Sequence, residues 1–259
     1  MRLIDTHSHL YAEEFDADRS QALQRCLLAG VDTLLLPAID PLSYPRQQQM
    51  ASAPSPIALH QMMGLHPTSV NDDWQQALAE AERRLFADPQ QYVAVGEIGL
   101  DYYWDRTYER EQVVVLERQM AWAEQLHLPV CLHVRKAYEE ILHLVHQQHP
   151  SPLRGVMHCF GGSVNQAERC VEQGFMLGIG GVVTFKNAGM ADVVRAIPLE
   201  SLLLETDAPY LAPVPYRGKR NESAYLKEIA QKIADIKELP LDQVAAQTTA
   251  NALALFPRI

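Results

Sequence analysis

Residues 3–10, LIDTHSHL, form a short apolar strand followed at once by two histidines. Residues i and i+2 of an extended chain point to the same face, so the imidazoles of His7 and His9 can both reach one metal ion. No glycine follows this strand, whereas an open doubly wound sheet normally has a glycine-rich phosphate-binding turn at this position. The stretch therefore favours a β/α barrel over the open sheet, which is its main rival.

Short β-rich segments alternate with longer helical patterns along the rest of the chain. Strand character is found at residues 3–5, 33–38, 58–64, 92–97, 130–133, 156–158, 175–179 and 202–205. Helical patterns cover residues 19–29, 74–87, 108–125, 137–148, 164–172, 190–196, 223–236 and 241–253. About eight strands, most with a helix after them, predict an α/β fold of the TIM-like (β/α)8 barrel type. With no linker or internal repeat in the sequence, we expect residues 1–259 to form a single domain.

The composition is that of a globular protein rather than a disordered one, with 47% hydrophobic and 21% charged residues. The formal net charge of −10 argues against nonspecific coating of duplex nucleic acid, because that affinity comes from Lys and Arg. A phosphate-containing substrate then requires positive charge in the site itself. Bound divalent metal ions supply such charge.

The N-terminal stretch, the length of the apolar runs and the cysteines together predict a cytoplasmic protein. The start, MRLIDTHSHL, lacks the apolar segment of a signal peptide. No apolar run approaches the roughly 18 residues that a membrane span needs. The four cysteines form no C-x-x-C pair and are expected to be reduced thiols. Neither a membrane nor an obligate protein partner is indicated.

Ligand-type side chains recur at the carboxyl ends of the predicted strands. They are His7 and His9 after the first strand, Glu97 at the fourth, His133 and His158 at the fifth and sixth, and Asp207 after the eighth. In a β/α barrel these ends meet at one mouth, where the active site lies. Four histidines and two carboxylates match a binuclear hydrolytic site, in which two divalent metal ions share a bridging carboxylate. The joint pattern carries this prediction, since each histidine alone is more often a core or strand-end residue.

Two of these carboxylates are candidates for catalysis. Glu97 lies between Gly96 and Gly99, which leave room for it to bridge two ions; the alternative is a salt bridge to an arginine at the rim. Asp207, in LLLETDAP, could ligate a metal and accept a proton from water, or it could cap the following turn. Glu205, two residues earlier, is expected to orient a ligand histidine.

Side chains around the predicted mouth are candidates for substrate binding. His66, in GLHP after the third strand, is expected either to contact substrate or to be structural. Arg135 with Lys136, and Arg217 with Arg220, would place cations on two sides of the mouth of an otherwise acidic protein. Guanidinium groups suit phosphate oxygens, although the loop after Asp207 could instead be merely solvated.

For the remaining aromatic, histidine and cysteine residues of interest, a structural role is either one of two interpretations or the expected one. The aromatic loop DYYW, residues 101–104, could stack on a nucleic-acid base or pack against the next helix. His143, His146 and His149 are expected to form a solvated helix face. Cys159 adjoins His158, and strand alternation predicts that it turns into the core.

At these residues the chain resembles the TatD family of metal-dependent deoxyribonucleases, within the amidohydrolase-like superfamily. The matching motifs are IDTHSHL, GLHP, VAVGEIGLDYY, LPVCLHVR, HCFGG, LLETDAPYLAP and RGKRNE, in the family's order over residues 4–222. The resemblance implies one metal ion held by His7, His9, Glu97 and Asp207, and a second held by Glu97, His133 and His158. The family usually has proline after RGKRNE. This chain has Ser223 there, which affects a helix start rather than the metal site.

Three functions are compatible with these observations. The first is a deoxyribonuclease that cleaves phosphodiester bonds with a metal-activated water, acting on single-stranded ends of DNA. The second is an ester or amide hydrolase of the same superfamily, such as a D-aminoacyl-tRNA deacylase. The third is a binding protein with a structural metal, which the lack of ligating cysteines disfavours. The basic loop after Asp207 favours the first, and Mg²⁺, Mn²⁺ and Zn²⁺ all remain candidates for the metal.

Overall fold

The computed structural model describes residues 1–148 and 153–259, and within them eight parallel strands form one sheet that rolls into a barrel. Neighbouring strands follow chain order from first to last. The strands are β1 (Leu3–Asp5), β2 (Val31–Leu36), β3 (Ala58–Met63), β4 (Tyr92–Asp101), β5 (Val130–Arg135), β6 (Gly155–His158), β7 (Phe175–Ile179) and β8 (Leu202–Leu204). The predicted TIM-like barrel is confirmed.

Helices alternate with the strands and cover the outside of the barrel. They are α1 (Arg19–Leu28), α2 (Tyr44–Ser52), α3 (Trp74–Ala87), α4 (Glu109–Leu126), α5 (Tyr138–Gln148), α6 (Val164–Glu172), α7 (Met190–Ala196), α8 (Leu226–Lys237) and α9 (Leu241–Leu255). The sequence patterns predicted each of them except α2. That helix reads YPRQQQMAS and buries Tyr44, Gln47 and Met50, so one of its three buried positions is polar and the apolar period is weak.

The barrel closes between the first and last strands through backbone hydrogen bonds that lie just beyond their ends. The N–H of Thr6 donates to the carbonyl of Leu204 at 3.0 Å, and the N–H of Asp207 donates to the carbonyl of His7 at 2.9 Å. The N–H of His9 donates in turn to the carbonyl of Ala208 at 2.8 Å. This seam therefore holds the two histidines of the first motif beside Asp207.

Strand β4 is the longest of the barrel and runs four residues past its predicted end at Glu97. Its register with β5 shifts between Gly96 and Ile98, so Glu97 is an extra residue on its strand. Beyond the shift, the two backbones approach so closely that a Cβ at Gly99 would lie 1.9 Å from the carbonyl oxygen of His133. Because the strand continues to Asp101, it delivers two carboxylates to the mouth.

The barrel interior is filled by apolar side chains that share one face of the sheet. These residues are Ile4, Leu35, Met62, Ala94, Cys131, Val156 and Leu203, and Phe256 after α9 packs with them. A larger apolar cluster lies between the strands and the helices. Layered filling of this kind makes the barrel a packed core rather than a pore, so the candidate site rests on an apolar floor.

Within the described part of the chain, no helix is both long enough and apolar enough to cross a membrane.

Candidate metal centre

The six side chains predicted as metal ligands converge at the carboxyl-end mouth of the barrel, with Glu97 in the middle. We call these six residues the ligand cluster: His7, His9, Glu97, His133, His158 and Asp207. Oε2 of Glu97 lies 3.1 Å from Nε2 of His7 and 3.7 Å from Nε2 of His9. Oε1 lies 3.0 Å from Nδ1 of His133 and 3.8 Å from Nε2 of His158. Each oxygen of this buried carboxylate therefore faces two of the four predicted ligand imidazoles, and the imidazole of His66 also lies 3.2 Å from Oε1.

Asp207 lies opposite Glu97 across the same histidines. Its Oδ1 is 3.5 Å from Nε2 of His9, and it is 3.8 Å from the Nε2 atoms of both His7 and His158. Its side chain is 14% exposed, compared with 4% for Glu97. The φ of Asp207 is 57°, a left-handed conformation that aspartate adopts more readily than most residues. Asp207 is thus the more accessible of the two carboxylates.

Each of the four histidines turns one ring nitrogen toward these carboxylates and the other toward a partner outside the cluster. The outer contacts are His7 Nδ1 to Cys131 Sγ at 3.3 Å, His9 Nδ1 to Tyr11 Oη at 3.0 Å, His133 Nε2 to Asp101 Oδ2 at 2.9 Å, and His158 Nδ1 to Glu205 Oε1 at 3.0 Å. Such outer contacts fix the orientation of metal-ligating histidines. The donor set and its support therefore fit a metal centre.

Glu205 contacts His158, one of the predicted ligand histidines, as expected from the sequence, and a glycine makes room for its carboxylate. A Cβ at Gly178 on the neighbouring β7 would lie 2.1 Å from Oε2 of Glu205. Oε1 of Glu205 also accepts a hydrogen bond from the backbone N–H of Cys159 at 2.6 Å. The carboxylate is thus held between β6 and β7.

The electrostatics of the cluster keep both central carboxylates ionised. Burial raises the pKa of Glu97, but the imidazoles of His66, His7 and His158 outweigh burial and hold that pKa well below its ordinary value. Burial also raises the pKa of Asp207, and the hydrogen bond from His9 together with His158 and His7 lowers it overall. One buried and one partly buried carboxylate, beside imidazoles that can be neutral, suit a divalent cation.

The histidines differ in how readily they carry a proton. Burial and the neighbouring His158 lower the pKa of His7 to about 4. Burial acts in the same direction on His158, but Glu205 and Glu97 outweigh it and raise its pKa to about 10. Metal binding requires neutral imidazole, so a cation that binds here displaces protons from the cluster.

Three overlapping groups of ligand atoms have mutual distances within 4.8 Å around this centre. His7, His9 and Asp207 form one group, and His7, Glu97 and His158 form another. The third group joins Glu97 to His66 and His133. The groups share ligands, which is the arrangement expected where neighbouring ions use a common carboxylate.

A family model described as TatD related DNase matches residues 4–257. The chain belongs to this family. It is 37% identical over 255 residues to YabD of Bacillus subtilis strain 168, an uncharacterized metal-dependent hydrolase, and the match covers 98% of each chain. It is also 34% identical over 262 residues to the 3'-5' ssDNA/RNA exonuclease TatD of Erwinia amylovora, covering 98% of this chain and 99% of that protein.

A solved structure of a TatD homologue shows the same architecture. The crystal structure of YjjV from Escherichia coli K12 matches with a TM-score of 0.92 at 32% identity, over 99% of this chain and 98% of that one. Family membership and the ligand cluster together make this chain a metal-dependent hydrolase, as the sequence resemblance implied.

The centre of this TatD-family protein opens into a cavity of about 870 Å³. His7 lies beneath it, fully buried, whereas Glu97 and Asp207 reach its surface. Beyond the ligand cluster, its wall includes Trp104, Arg135, Lys136, Tyr138, Tyr210 and Leu211. A cavity of this size holds a small organic molecule or one nucleotide of a polymer.

His66 lies inside the ligand cluster rather than at the rim. Its Nε2 is 3.2 Å from Oε1 of Glu97, and its ring packs edge-on against His133 with centroids 4.5 Å apart. Its Nδ1 accepts a hydrogen bond from the backbone N–H of Thr68, so the ring also caps the short turn that follows. Its predicted substrate contact stays a prediction.

The four predicted basic residues are placed differently around the mouth. Arg135 lines the cavity, as expected, and Lys136 lies beside it. Arg217 is exposed in the loop after β8 and stacks on the ring of Phe185 at 4.3 Å, outside the residues that line the cavity. Of these four residues, only Arg135 and Lys136 line the cavity, so they place cations on one side of it. The sequence predicted cations on two sides of the mouth.

Arg220 is committed to contacts away from the cavity. Its Nη1 donates to Oδ1 of Asp18 at 2.6 Å and its Nη2 to Oδ2 of Asp18 at 2.9 Å. Nη2 also donates to Glu222 at 2.8 Å, and the guanidinium lies 4.3 Å from the ring of Phe15. These contacts anchor the loop after β8 to Asp18 at the start of α1, and the predicted substrate contact of Arg220 stays a prediction.

Sequence reasoning missed three residues that support the ligands, namely Asp101, Tyr11 and Cys131. For Asp101 a signal was available, because it lies four residues after Glu97, and side chains at even spacing on one strand share a face. The outer roles of Tyr11 and Cys131 depend on packing between distant segments, which no local pattern reveals.

Strand alternation predicted that Cys159 turns into the core. This prediction is wrong, because Cys159 lines the cavity. Its φ is 44°, and a left-handed residue directly after β6 ends the alternation on which that prediction depended. His143 is exposed, as expected for a solvated helix face. His149 lies outside the described residues, as does the side chain of His146.

Proposed function

We propose that this chain is a phosphodiesterase that hydrolyses DNA at accessible single-stranded ends, with two divalent metal ions in the ligand cluster. The observation that carries the proposal is the position of Glu97, whose two oxygens each face two of the four predicted ligand imidazoles while Asp207 lies across from them. The exonuclease name of the Erwinia amylovora relative supports the substrate class, because that match covers both proteins almost completely.

The two ions would share Glu97. The first would be held by His7, His9, Glu97 and Asp207, and the second by Glu97, His133 and His158. Bound divalent ions supply an activated water and stabilise negative charge on phosphoryl oxygens. The histidine-rich donors suit Zn²⁺ or Mn²⁺, and phosphodiester chemistry favours Mg²⁺.

Asp207 is the proposed general base. It is ionised, reaches the cavity, and sits within 3.8 Å of three imidazole nitrogens that hold its carboxylate in place. It takes a proton from the attacking water while the water oxygen bonds to phosphorus, and the bond to the departing sugar oxygen breaks with its electron pair.

The cations on one wall of the cavity favour a phosphate substrate over the main rival class. Arg135 and Lys136 both line the cavity beside the ligand cluster, and a guanidinium binds phosphate oxygens in a bidentate manner. A neutral ester or amide gains little from these charges. An aminoacyl-tRNA ester retains phosphates nearby, so a D-aminoacyl-tRNA deacylase is the rival that needs a direct test.

All four cysteines are free thiols in the structure. We propose a cytoplasmic location, as the sequence predicted, where such thiols stay reduced.

The test is a screen of the purified chain, titrated separately with Mg²⁺, Mn²⁺ and Zn²⁺, against single-stranded DNA, duplex DNA, RNA, D-aminoacyl-tRNA and simple esters. We expect the highest kcat/KM on single-stranded DNA. Asp207→Asn purified in parallel is the control for contaminating nucleases, because a contaminant would cleave DNA in both preparations. Faster turnover of the aminoacyl ester than of DNA would reject the proposal.

A further inference from the structure

Two large aromatic side chains stand exposed where the loop after β4 meets the cavity. Trp104 is 70% exposed and Tyr103 is 46% exposed, and their rings form an edge-to-face pair with centroids 5.0 Å apart. Trp104 also lines the cavity that contains the ligand cluster. Packing of these aromatics against the following helix, which was the structural alternative, does not account for that much exposed ring surface.

The loop that carries these rings is tied to the ligand cluster by one carboxylate. Oδ1 of Asp101 accepts hydrogen bonds from the backbone N–H groups of Tyr103 at 2.9 Å and Trp104 at 3.3 Å. Its Oδ2 lies 2.9 Å from Nε2 of His133. The aromatic pair therefore has a fixed position relative to Glu97, which a solvated loop would not need.

Cations lie directly against the aromatic pair. The guanidinium carbon of Arg135 is 3.8 Å from the centroid of Tyr103 and 5.0 Å from that of Trp104. The ammonium of Lys136 is 5.1 Å from the Tyr103 centroid. Aromatic rings combined with cations are the elements with which proteins bind single-stranded nucleic acid, because rings stack on bases and cations bind the backbone.

We propose that the ring of Trp104, held edge-to-face by Tyr103 and backed by Arg135, forms a platform on which one unpaired base of the substrate stacks, with its neighbouring phosphate directed toward Arg135 and Lys136. This inference rests on the proposed function and adds the feature that selects the substrate. A base inside a duplex has both faces covered by its neighbours, so the platform accepts the unstacked base of a single-stranded end.

The fluorescence of Trp104 provides a readout that does not depend on hydrolysis. The chain has three tryptophans, and Trp122 is buried while Trp104 is largely exposed. We would titrate the full chain, loaded with its metal ions, with a phosphorothioate-linked thymidine tetramer. A base-free deoxyribose-phosphate tetramer and a blunt duplex of equal concentration serve as comparisons.

We expect the thymidine tetramer to quench the tryptophan fluorescence and to bind at least tenfold more tightly than the base-free tetramer. Because the variants at position 104 lack this fluorophore, their affinities and that of the parent chain are compared by calorimetry. Trp104→Ala should raise the Kd for the thymidine tetramer by about 5- to 160-fold, the range that corresponds to 1–3 kcal/mol for one stacked base. Trp104→Phe should recover most of the affinity. Trp74→Phe, which alters a half-buried tryptophan outside the cavity lining, should leave both the quenching and the Kd unchanged.

The outcomes separate the platform from the proposed activity. Unchanged affinity in Trp104→Ala, or equal binding of the base-free tetramer, would overturn the platform even if the chain cleaves DNA. If ultracentrifugation shows that the parent chain self-associates and that Trp104→Ala does not, with oligonucleotide binding unchanged, the patch belongs to a second copy of the chain and the platform is overturned. Base-dependent binding through Trp104 in a chain that hydrolyses no phosphodiester would support the platform and reject the proposed function.

Discussion

Oδ2 of Asp101 lies 2.9 Å from Nε2 of His133, on the opposite side of the ring from Glu97. The ring of His133 is thus held between two carboxylates from one strand, the first in the ligand cluster and the second outside it. Because Asp101 also anchors the backbone of Tyr103 and Trp104, a single side chain connects the proposed metal centre to the proposed substrate platform.

Asp101→Asn is expected to weaken metal binding by about 10- to 100-fold, the usual effect of removing an outer partner of a ligating histidine. The amide can still accept hydrogen bonds from the loop, so the fold should persist. Metal affinity is measured by calorimetry and metal content by elemental analysis. Asp105→Asn is the matched control, since Asp105 is an exposed acid of the same loop whose carboxylate bonds to its neighbours Arg106 and Thr107. Equal metal affinity in the two variants would show that Asp101 does not position His133.

Glu97→Gln should mainly deplete metal. A bridging position needs two anionic oxygens, and the amide offers one oxygen and no charge. We expect the variant to fold and to bind less than half the metal of the parent chain under identical loading. Glu172→Gln, an exposed site at the end of α6, controls for the general loss of one negative charge. Full metal content in Glu97→Gln would reject the bridging role.

Arg220→Ala should lower stability rather than substrate affinity. The variant loses charged hydrogen bonds to Asp18 and Glu222 that tie the loop after β8 to α1, at a cost of about 1–2 kcal/mol for partly exposed partners. Thermal unfolding should show a Tm lower by a few degrees, with KM for DNA within about twofold of the parent. A large rise in KM at unchanged Tm would restore the substrate-binding role.

The loss of stability in Arg220→Ala should depend on pH, because Asp18, the partner of Arg220, is titratable. Hydrogen bonds from Arg220 and Arg25 hold the pKa of Asp18 below its ordinary value of 3.8. A depressed pKa contributes stability that is present above the unfolded value and is lost as the pH falls through the folded value. The Tm difference between parent and Arg220→Ala should therefore be full at pH 7 and should narrow below about pH 4.

Arg217→Ala remains a test of substrate binding by the loop after β8. Arg217 is exposed and stacks on Phe185, with its guanidinium accessible to phosphate oxygens. We expect KM for DNA to rise about three- to tenfold at unchanged metal content and Tm, as for one exposed charged contact. Arg118→Ala, on the exposed face of α4, controls for the loss of one positive charge. Identical KM values in the two variants would show that the loop is merely solvated.

Sequence reasoning found the barrel and the convergence of its ligand residues because each lies at a strand end, and strand ends of a β/α barrel share one mouth. It ended β4 at Glu97, and therefore missed Asp101, because the register shift at Glu97 breaks the alternation of that strand. It could not show that Arg220 is already paired, because its partner Asp18 lies 202 residues away in the sequence. A local count of charges shows that a loop is basic, but only tertiary packing shows which of its cations are already paired.

Asp207→Asn should abolish turnover while leaving the chain folded and at least partly metallated. The amide keeps the size and one oxygen of the carboxylate, so Glu97 and the histidines can still hold a cation. It loses the negative charge and the basicity that proton transfer from water requires. A general base contributes about 10²–10⁴-fold to rate, and any lost metal adds to the decrease. Single-turnover rates with saturating metal, combined with metal stoichiometry, separate the two effects. Asp192→Asn, an exposed acid on α7, should keep the parent rate. Turnover close to normal in Asp207→Asn at full metal occupancy would refute the proposed role of Asp207 as general base, because removing a general base must slow the reaction.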